Sequence, residues 1–286
     1  MRLLLSPLYF LMFSILFLAA SSDAYAQKSK LYVLVYKYKE GDKYRVTTST
    51  YKSFTAVSGI YNNSYSGETT IDLYQEIEGA DDEAYDMKIS MELTRFAENG
   101  KNMTYKLSHV LKGDEIQFSF DRFGKILQGT VHYQSADSTR LNKQEQQTLI
   151  NNIFVPLPDR AMKTGDTWKV TDFLNAEQLA LLAGSSYGIK KPDVSGVYTL
   201  ENVDEGVAKI SLTLEVSGSG KLIELKDTPE LDFLIQISGS FNFNIAEGKI
   251  VNGSITTEAV GVTTIGKETI EFKGNSSTAF SVEKYK

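Results

Sequence analysis

The sequence predicts a mainly β protein: an internally duplicated antiparallel sheet, curled or half-barrel-like, with one or two short helices between its halves. Three observations predict it. Apolar and polar residues alternate along most of the chain, and glycine-centred turn signals recur about every ten to fifteen residues. Two unrelated runs also repeat at one common offset. Gly41-Asp42-Lys43-Tyr44-Arg45-Val46-Thr47 returns as Gly165-Asp166-Thr167-Trp168-Lys169-Val170-Thr171, and Gly124-Lys125-Ile126-Leu127 returns as Gly248-Lys249-Ile250-Val251, each 124 positions on. Such agreement indicates duplication of a β-rich unit. In that register Tyr74 maps onto Tyr198. After a three-residue slip, Lys88-Ile89-Ser90-Met91 maps onto Lys209-Ile210-Ser211-Leu212.

Residues 1–26 read as a secretory signal. Arg2 and the amino terminus supply a positive start, Leu3 to Ala20 is apolar apart from Ser6 and Ser14, and Ala24-Tyr25-Ala26 is a small-x-small cleavage site before Gln27. No cysteine follows, so neither a lipid anchor nor a disulfide framework is expected. The predicted organisation is a signal peptide (1–26), a first β repeat (27–140), a helical and proline-rich connection (141–164) and a second β repeat (165–286).

The first repeat offers strands at Leu31–Tyr36, Lys43–Val57, Glu68–Glu76, Ala84–Phe96, Asn102–Leu111 and Glu115–Phe120. Turns such as Glu40-Gly41-Asp42 and Arg122-Phe123-Gly124 separate them. Helical patterning appears at Asn142–Ile150, and again at Asn175–Leu182, which begins on an N-cap residue and stops at Gly184. The strand rhythm then resumes with Gly196–Glu201, Val207–Ser217, Phe233–Ile245, Lys249–Thr257, Val260–Ile265, Glu268–Phe272 and Thr278–Glu283. Alternating strands bury one face only, so the sheet must curl or stack to cover it.

Composition narrows the functional classes. A net charge of −6 with mixed signs lacks the clustered basic face that nucleic acid or an anionic membrane requires. The two histidines, His109 and His132, fall in strand-like alternation without a partner at metal-ligand spacing, so no metal site and no cofactor are expected. Asp81-Asp82-Glu83 lacks the spaced oxygen ligands of a calcium loop and reads as a solvated hairpin tip. There is no nucleophile elbow and no phosphate-cradling glycine loop. A carboxylate pair converging across strands stays open, but Asp and Glu fall mostly at turn and surface positions.

The most specific segment is Phe154-Val155-Pro156-Leu157-Pro158-Asp159-Arg160, followed by Gly165-Asp166-Thr167-Trp168. With these motifs the chain resembles an uncharacterised family of exported β-rich proteins of Gram-negative bacteria, which carries a P-L-P-[DE] segment before a G-D-x-W turn. That resemblance implies an export route and a fold, and no activity. The expectation is therefore a non-catalytic periplasmic or secreted protein that binds an apolar ligand such as a lipid in a curled sheet. The alternative is a structural or protein-interaction module of the cell envelope. Neither a nucleic-acid partner nor stable membrane insertion is expected. An outer-membrane barrel is disfavoured by the two helical stretches and by a chain that closes on Glu283-Lys284-Tyr285-Lys286. Candidate ligand-binding residues are Leu179 and Leu182, on a helix suited to cover the sheet, and Trp168, the sole tryptophan, expected to be buried where the halves meet.

Overall fold

The computed structural model describes residues 30–59, 62–104, 113–127, 129–134, 155–170, 187–222, 231–265 and 267–285. The signal segment, both predicted helices with Leu179 and Leu182, and His109 lie outside the described residues. Among the described residues twelve strands form one antiparallel sheet, which does not close into a barrel: β1 (Lys43–Val57), β2 (Asn62–Ala80), β3 (Ala84–Glu98), β4 (Lys101–Asn102), β5 (Glu115–Asp121), β6 (His132–Gln134), β7 (Thr167–Lys169), β8 (Tyr187–Asp204), β9 (Val207–Leu222), β10 (Leu231–Asn244), β11 (Lys249–Ile265) and β12 (Glu268–Lys284). The order across the sheet is β6-β5-β3-β2-β1-β12-β11-β10-β9-β8-β7, with β4 appended to β3. Each half is thus a meander of hairpins, and the two meanders join along β1 and β12.

Two turns carry the same hydrogen bonds. The Gly41 amide donates to Ile77 O (2.8 Å), the Ile77 amide donates to Asp42 O (3.0 Å), and the Lys39 amide donates to Asp42 Oδ2 (3.1 Å). At the other turn the Gly165 amide donates to Leu200 O (2.7 Å), the Leu200 amide to Asp166 O (3.0 Å), and the Lys163 amide to Asp166 Oδ2 (2.9 Å). Both partner strands then break register at the matching place, between Ile77 and Gly79 in β2 and between Leu200 and Asn202 in β8. Ile77 therefore corresponds to Leu200, an offset of 123. This corrects the alignment read from sequence. Tyr74 faces outward and bonds Glu92, whereas the buried Tyr198 corresponds to Gln75. Likewise Met87, not Ile89, corresponds to Ile210: Ile77 pairs with Met87 and Leu200 with Ile210.

Directly paired residues share a face, so the registers divide the sheet into two surfaces. Leu73, Ile77, Met87, Ile89, Phe118, Leu200, Ile210, Ile237 and Phe241 fall on one of them and are buried. That face is the inside of a curl. The Tyr36 ring lies 6.2 Å from Phe120 of β5 and 5.5 Å from Phe243 of β10. Five strands separate β5 from β10 along the sheet, and in a flat sheet that would place them about 29 Å apart. Only strong coiling brings both to one ring.

Leu31–Tyr36 was expected as a strand and is not one. The segment runs extended through the mouth of the curl and touches the sheet through single bonds. Tyr36 N–H donates to Arg122 O (2.8 Å) and Lys37 N–H to Gly248 O (3.0 Å), so one turn from each half grips it. Both turns need glycine there: Gly124 and Gly248 have φ of +80° and +64°. A Cβ on Gly124 would stand 2.8 Å from the Tyr36 ring, and one on Gly248 would stand 2.6 Å from the Lys37 nitrogen. The proline segment 155–162 closes the same end. Val155 exchanges hydrogen bonds with the Tyr36 hydroxyl, Leu157 N–H donates to Phe123 O, and Tyr32 bridges Met162. Burying Phe120 and Phe243 fully contributes about 1.5–3 kcal/mol each.

Other strands run longer than sequence predicts. Lys249–Thr257 and Val260–Ile265 are one strand, β11, and Glu268–Phe272 and Thr278–Glu283 are one strand, β12. Weak strand formers at Glu258-Ala259 and Gly274-Asn275 do not end them, because bonded neighbours on both sides hold the backbone extended. Asn102–Leu111 behaves oppositely: its strand ends at Asn102, and residues 105–111 lie outside the described residues.

Candidate ligand-binding face

Tyr36, Tyr38, Phe241 and Phe243 fill the near end of the curl. Tyr36 and Tyr38 stack at 5.9 Å, and Tyr38 meets Tyr44, Tyr85 and Phe120 at 5.5–5.8 Å. Burial pushes the Tyr36 and Tyr38 phenols far above the usual tyrosine range, so both stay neutral.

Toward the far end the inner face changes character. Ile71, Phe96, Ala259, Phe233 and Phe272 are half-buried, and Phe54, stacked on Phe272 at 5.9 Å, is 37% exposed. Gly261, Gly274, Thr50, Thr257 and Ser276 leave the inner face there shallow, and Tyr65 and the exposed Lys52 share it. The result is a largely apolar trough running along the strands, aromatic at its rim and crossed by one lysine. The outer face is hydroxyl-rich, with Ser49, Thr256 and Ser277 exposed. One corner departs from this: Val57, Val260 and Val262, each 44–46% exposed, line a shallow depression of about 540 Å³ that the inner-face residues Phe233, Gly261 and Phe272 also border.

One row of the inner face is polar. Gln75, Tyr44 and Lys284 stand directly opposite one another on β2, β1 and β12. The Lys249 ammonium donates to the Tyr44 hydroxyl and lies 4.6 Å from the centre of its ring. Tyr44 donates to Asp42 Oδ2 at 2.9 Å, and Lys284 donates to Asp42 Oδ1 at 2.6 Å. Burial works upward on the Asp42 carboxyl, but the bonds from Lys284, Tyr44 and the Lys39 amide outweigh it and hold its pKa below the usual carboxylate range. Burial pushes the Lys249 ammonium down, against the pull of Asp42. Burial, then the bonded Asp42, pushes the Tyr44 phenol well up. The buried Gln75 Nε2 has no hydrogen-bond partner.

Trp168 is buried, at 6% exposure. It stacks on Tyr198 at 5.4 Å and its indole N–H donates to Pro156 O at 2.8 Å. It sits on the edge strand β7, against Tyr198 of the second half and Pro156 of the connecting segment, whereas the strands of the halves meet at β1 and β12. Sequence thus predicts its burial, and the structure moves its place. His132 is exposed on β6. Asp81-Asp82-Glu83 forms an exposed turn in which Asp81 Oδ1 accepts the Glu83 and Ala84 amides. Of the three buried carboxylates, Asp114 accepts the Tyr133 hydroxyl at 2.9 Å, and Asp42 and Asp72 face opposite sides of the sheet: Asp72 bonds Arg45 at 2.5 Å and Thr47 at 2.8 Å on the outer face. They do not form a catalytic pair. Among the described residues no three His, Asp or Glu side chains cluster at metal-binding distance, and no helix is long and apolar enough to cross a membrane. Sequence reasoning missed Gln75, Lys249 and Lys284. A polar residue on the apolar side of an alternating strand, as Gln75 is between Leu73 and Ile77, was the available signal.

The fold and this face define an open, curled antiparallel sheet with an apolar inner trough. No protein-family model matches the chain, and no curated protein matches it. Among solved structures it is similar to one described as "lipid-protein interactions in lipovitellin", at 10% identity and a TM-score of 0.46, covering 87% of this chain and 26% of that one. It is also similar to an outer membrane channel from Pseudomonas putida F1, at 10% identity and a TM-score of 0.22, covering 87% of this chain and 97% of that one. The chain thus spans about a quarter of the lipovitellin chain.

Proposed function

We propose that the protein is a non-catalytic, exported binding protein that holds an apolar ligand, a lipid or acyl chain, in its inner trough. The observation that carries this reading is the half-exposed apolar strip of Ile71, Phe96, Phe54, Phe272, Ala259 and Phe233 on a concave surface. A sheet that needed this face only for stability would fill it, as the near end does around Tyr36. The signal-like residues 1–26 support a periplasmic or secreted location, and the shared turn bonds support two halves copied from one unit. Titration with a fluorescent fatty-acid probe tests the reading. Saturable binding that Phe272→Asp abolishes, with the thermal midpoint retained, supports it; absence of binding to the intact protein overturns it.

A second reading is an interaction module of the cell envelope. The exposed Val57, Val260 and Val262 on an otherwise hydroxyl-rich outer face favour it. Under that reading, Val260→Asp removes a partner from pull-downs and leaves probe binding unchanged.

A further inference from the structure

The polar row at the near end of the trough sets two lysines around one carboxylate and holds one donor that its own structure does not use. Lys249 and Lys284 face one carboxylate, Asp42. Lys284 takes it at 2.6 Å, which leaves Lys249 at 3.8 Å, beyond hydrogen-bond reach. The Lys249 side chain is only 15% exposed, so water compensates it poorly. In the same row, opposite Tyr44, the Gln75 Nε2 donor is buried and unpartnered. A buried lysine whose hydrogen bond goes to a neutral hydroxyl while the shared carboxylate stands 3.8 Å off, and an unmet donor in the same row, suit an acceptor that carries negative charge.

The matching row of the other half shows that the fold does not require this polarity. There Trp168 stands in the place of Tyr44 and Tyr198 in that of Gln75, and the two stack as an apolar pair. Lys284 is 61% exposed, so the row opens to solvent on that side and a polar group can reach it. Along β12 the inner face runs from Lys284 through Val282 and Phe280 to Phe272. An apolar trough with a few polar groups at one end is the usual form of a site that orients an amphiphile.

We propose that the row formed by Lys249, Lys284, Tyr44 and Gln75 receives the anionic head group, a carboxylate or phosphate monoester, of the amphiphile whose chain lies in the trough. The assignment rests on the trough being the ligand site. Lys249 is the principal contact, and Lys284 stays on Asp42.

Displacement of a fluorescent acyl probe by palmitate, by a monoacylglycerol phosphate and by methyl palmitate tests this, on the intact protein and on Lys249→Met and Lys249→Arg. Thermal unfolding and Trp168 emission check that each variant folds. The expected result is binding of at least one anionic ligand about tenfold or more tighter than the ester. Lys249→Met should reduce that ligand to the affinity of the ester and leave the ester unchanged, and Lys249→Arg should restore most of the preference. Whichever of palmitate and the phosphate binds tighter names the head group. Equal affinities for all three, or equal weakening of all three by Lys249→Met, overturns the head-group assignment and leaves the apolar trough standing. Failure of every ligand to displace or bind overturns both.

Discussion

The two Gly-Asp turns share their backbone and differ in what they hold. Asp166 caps the Lys163 amide and lies 3.6 Å from Arg160 at the surface; two residues on, Trp168 stacks on Tyr198. Asp42 caps the Lys39 amide in the same way but is nearly buried, and it also collects Tyr44 and two lysines. One turn is a hydrophobic anchor at the sheet edge, and the other is an ionic cluster at the centre. The position explains the difference. β7 ends the sheet, so its aromatic needs only a flat neighbour, whereas β1 lies beside β12 and its inner row must meet side chains arriving from the other half. A backbone device shared by two turns can thus carry unrelated side-chain chemistry, because the bonds common to both come from the backbone and the Asp carboxylate.

The largest effect expected is at the apolar turn. Trp168→Ala should cost about 3–5 kcal/mol, since it leaves a large cavity against Tyr198 and an orphaned Pro156 carbonyl; chemical denaturation measures it. At the polar turn, Asp42→Ala should cost about 3 kcal/mol by leaving two lysines without their carboxylate. Asp166→Ala should cost about 1 kcal/mol, the value of a capping bond. Equal costs for the two aspartates would break the comparison.

Removing the unpartnered amide is milder still. Gln75→Leu should leave stability unchanged or raise it by about 1 kcal/mol, because no bond is lost and a desolvated donor disappears. A loss of several kcal/mol would mean that the amide is bonded in solution. The pH dependence sharpens the contrast at the smallest scale. The Asp42 pKa is lowered in the folded chain, so the unfolded chain binds more protons between the folded and unfolded values. Its contribution is fully present above the unfolded aspartate pKa of about 4 and fades as pH falls through the lower, folded value. Thermal midpoints of the wild type and Asp42→Asn should therefore begin to converge as pH falls below about 4 and meet only below the folded value. A constant gap down to pH 2 would count against the ionic cluster.

Much of this was legible in the sequence, and the failures share a cause. Lys43–Val57 is the strand that alternation predicts, and the Gly-Asp turns were visible as a repeat. Leu31–Tyr36 alternates equally well but pairs with no strand: its rhythm records burial between two turns, and periodicity does not distinguish the two. Tyr74 was matched to Tyr198 because identity outweighed register, and the one-residue offset behind the turn reverses which face each occupies. The polar row escaped notice because Gln75, Tyr44, Lys284 and Lys249 come from four strands far apart in sequence. Only pairing of β1 with β12 collects them.

That pairing also orders events in time. Thr50 bonds Thr278 across 228 positions, while every other long strand pairs with a sequence neighbour through a hairpin or near-hairpin. Each meander can therefore assemble from local contacts within its own half. The central seam must wait for closure of a loop of more than two hundred residues, the slowest kind of contact to form. Until then β1 and β12 are both raw edges, each able to accept a strand from another molecule. The polar row on that seam is thus made only when the halves have found each other. The row is completed in the last step of folding, and the interval before it is when the chain is most open to mispairing.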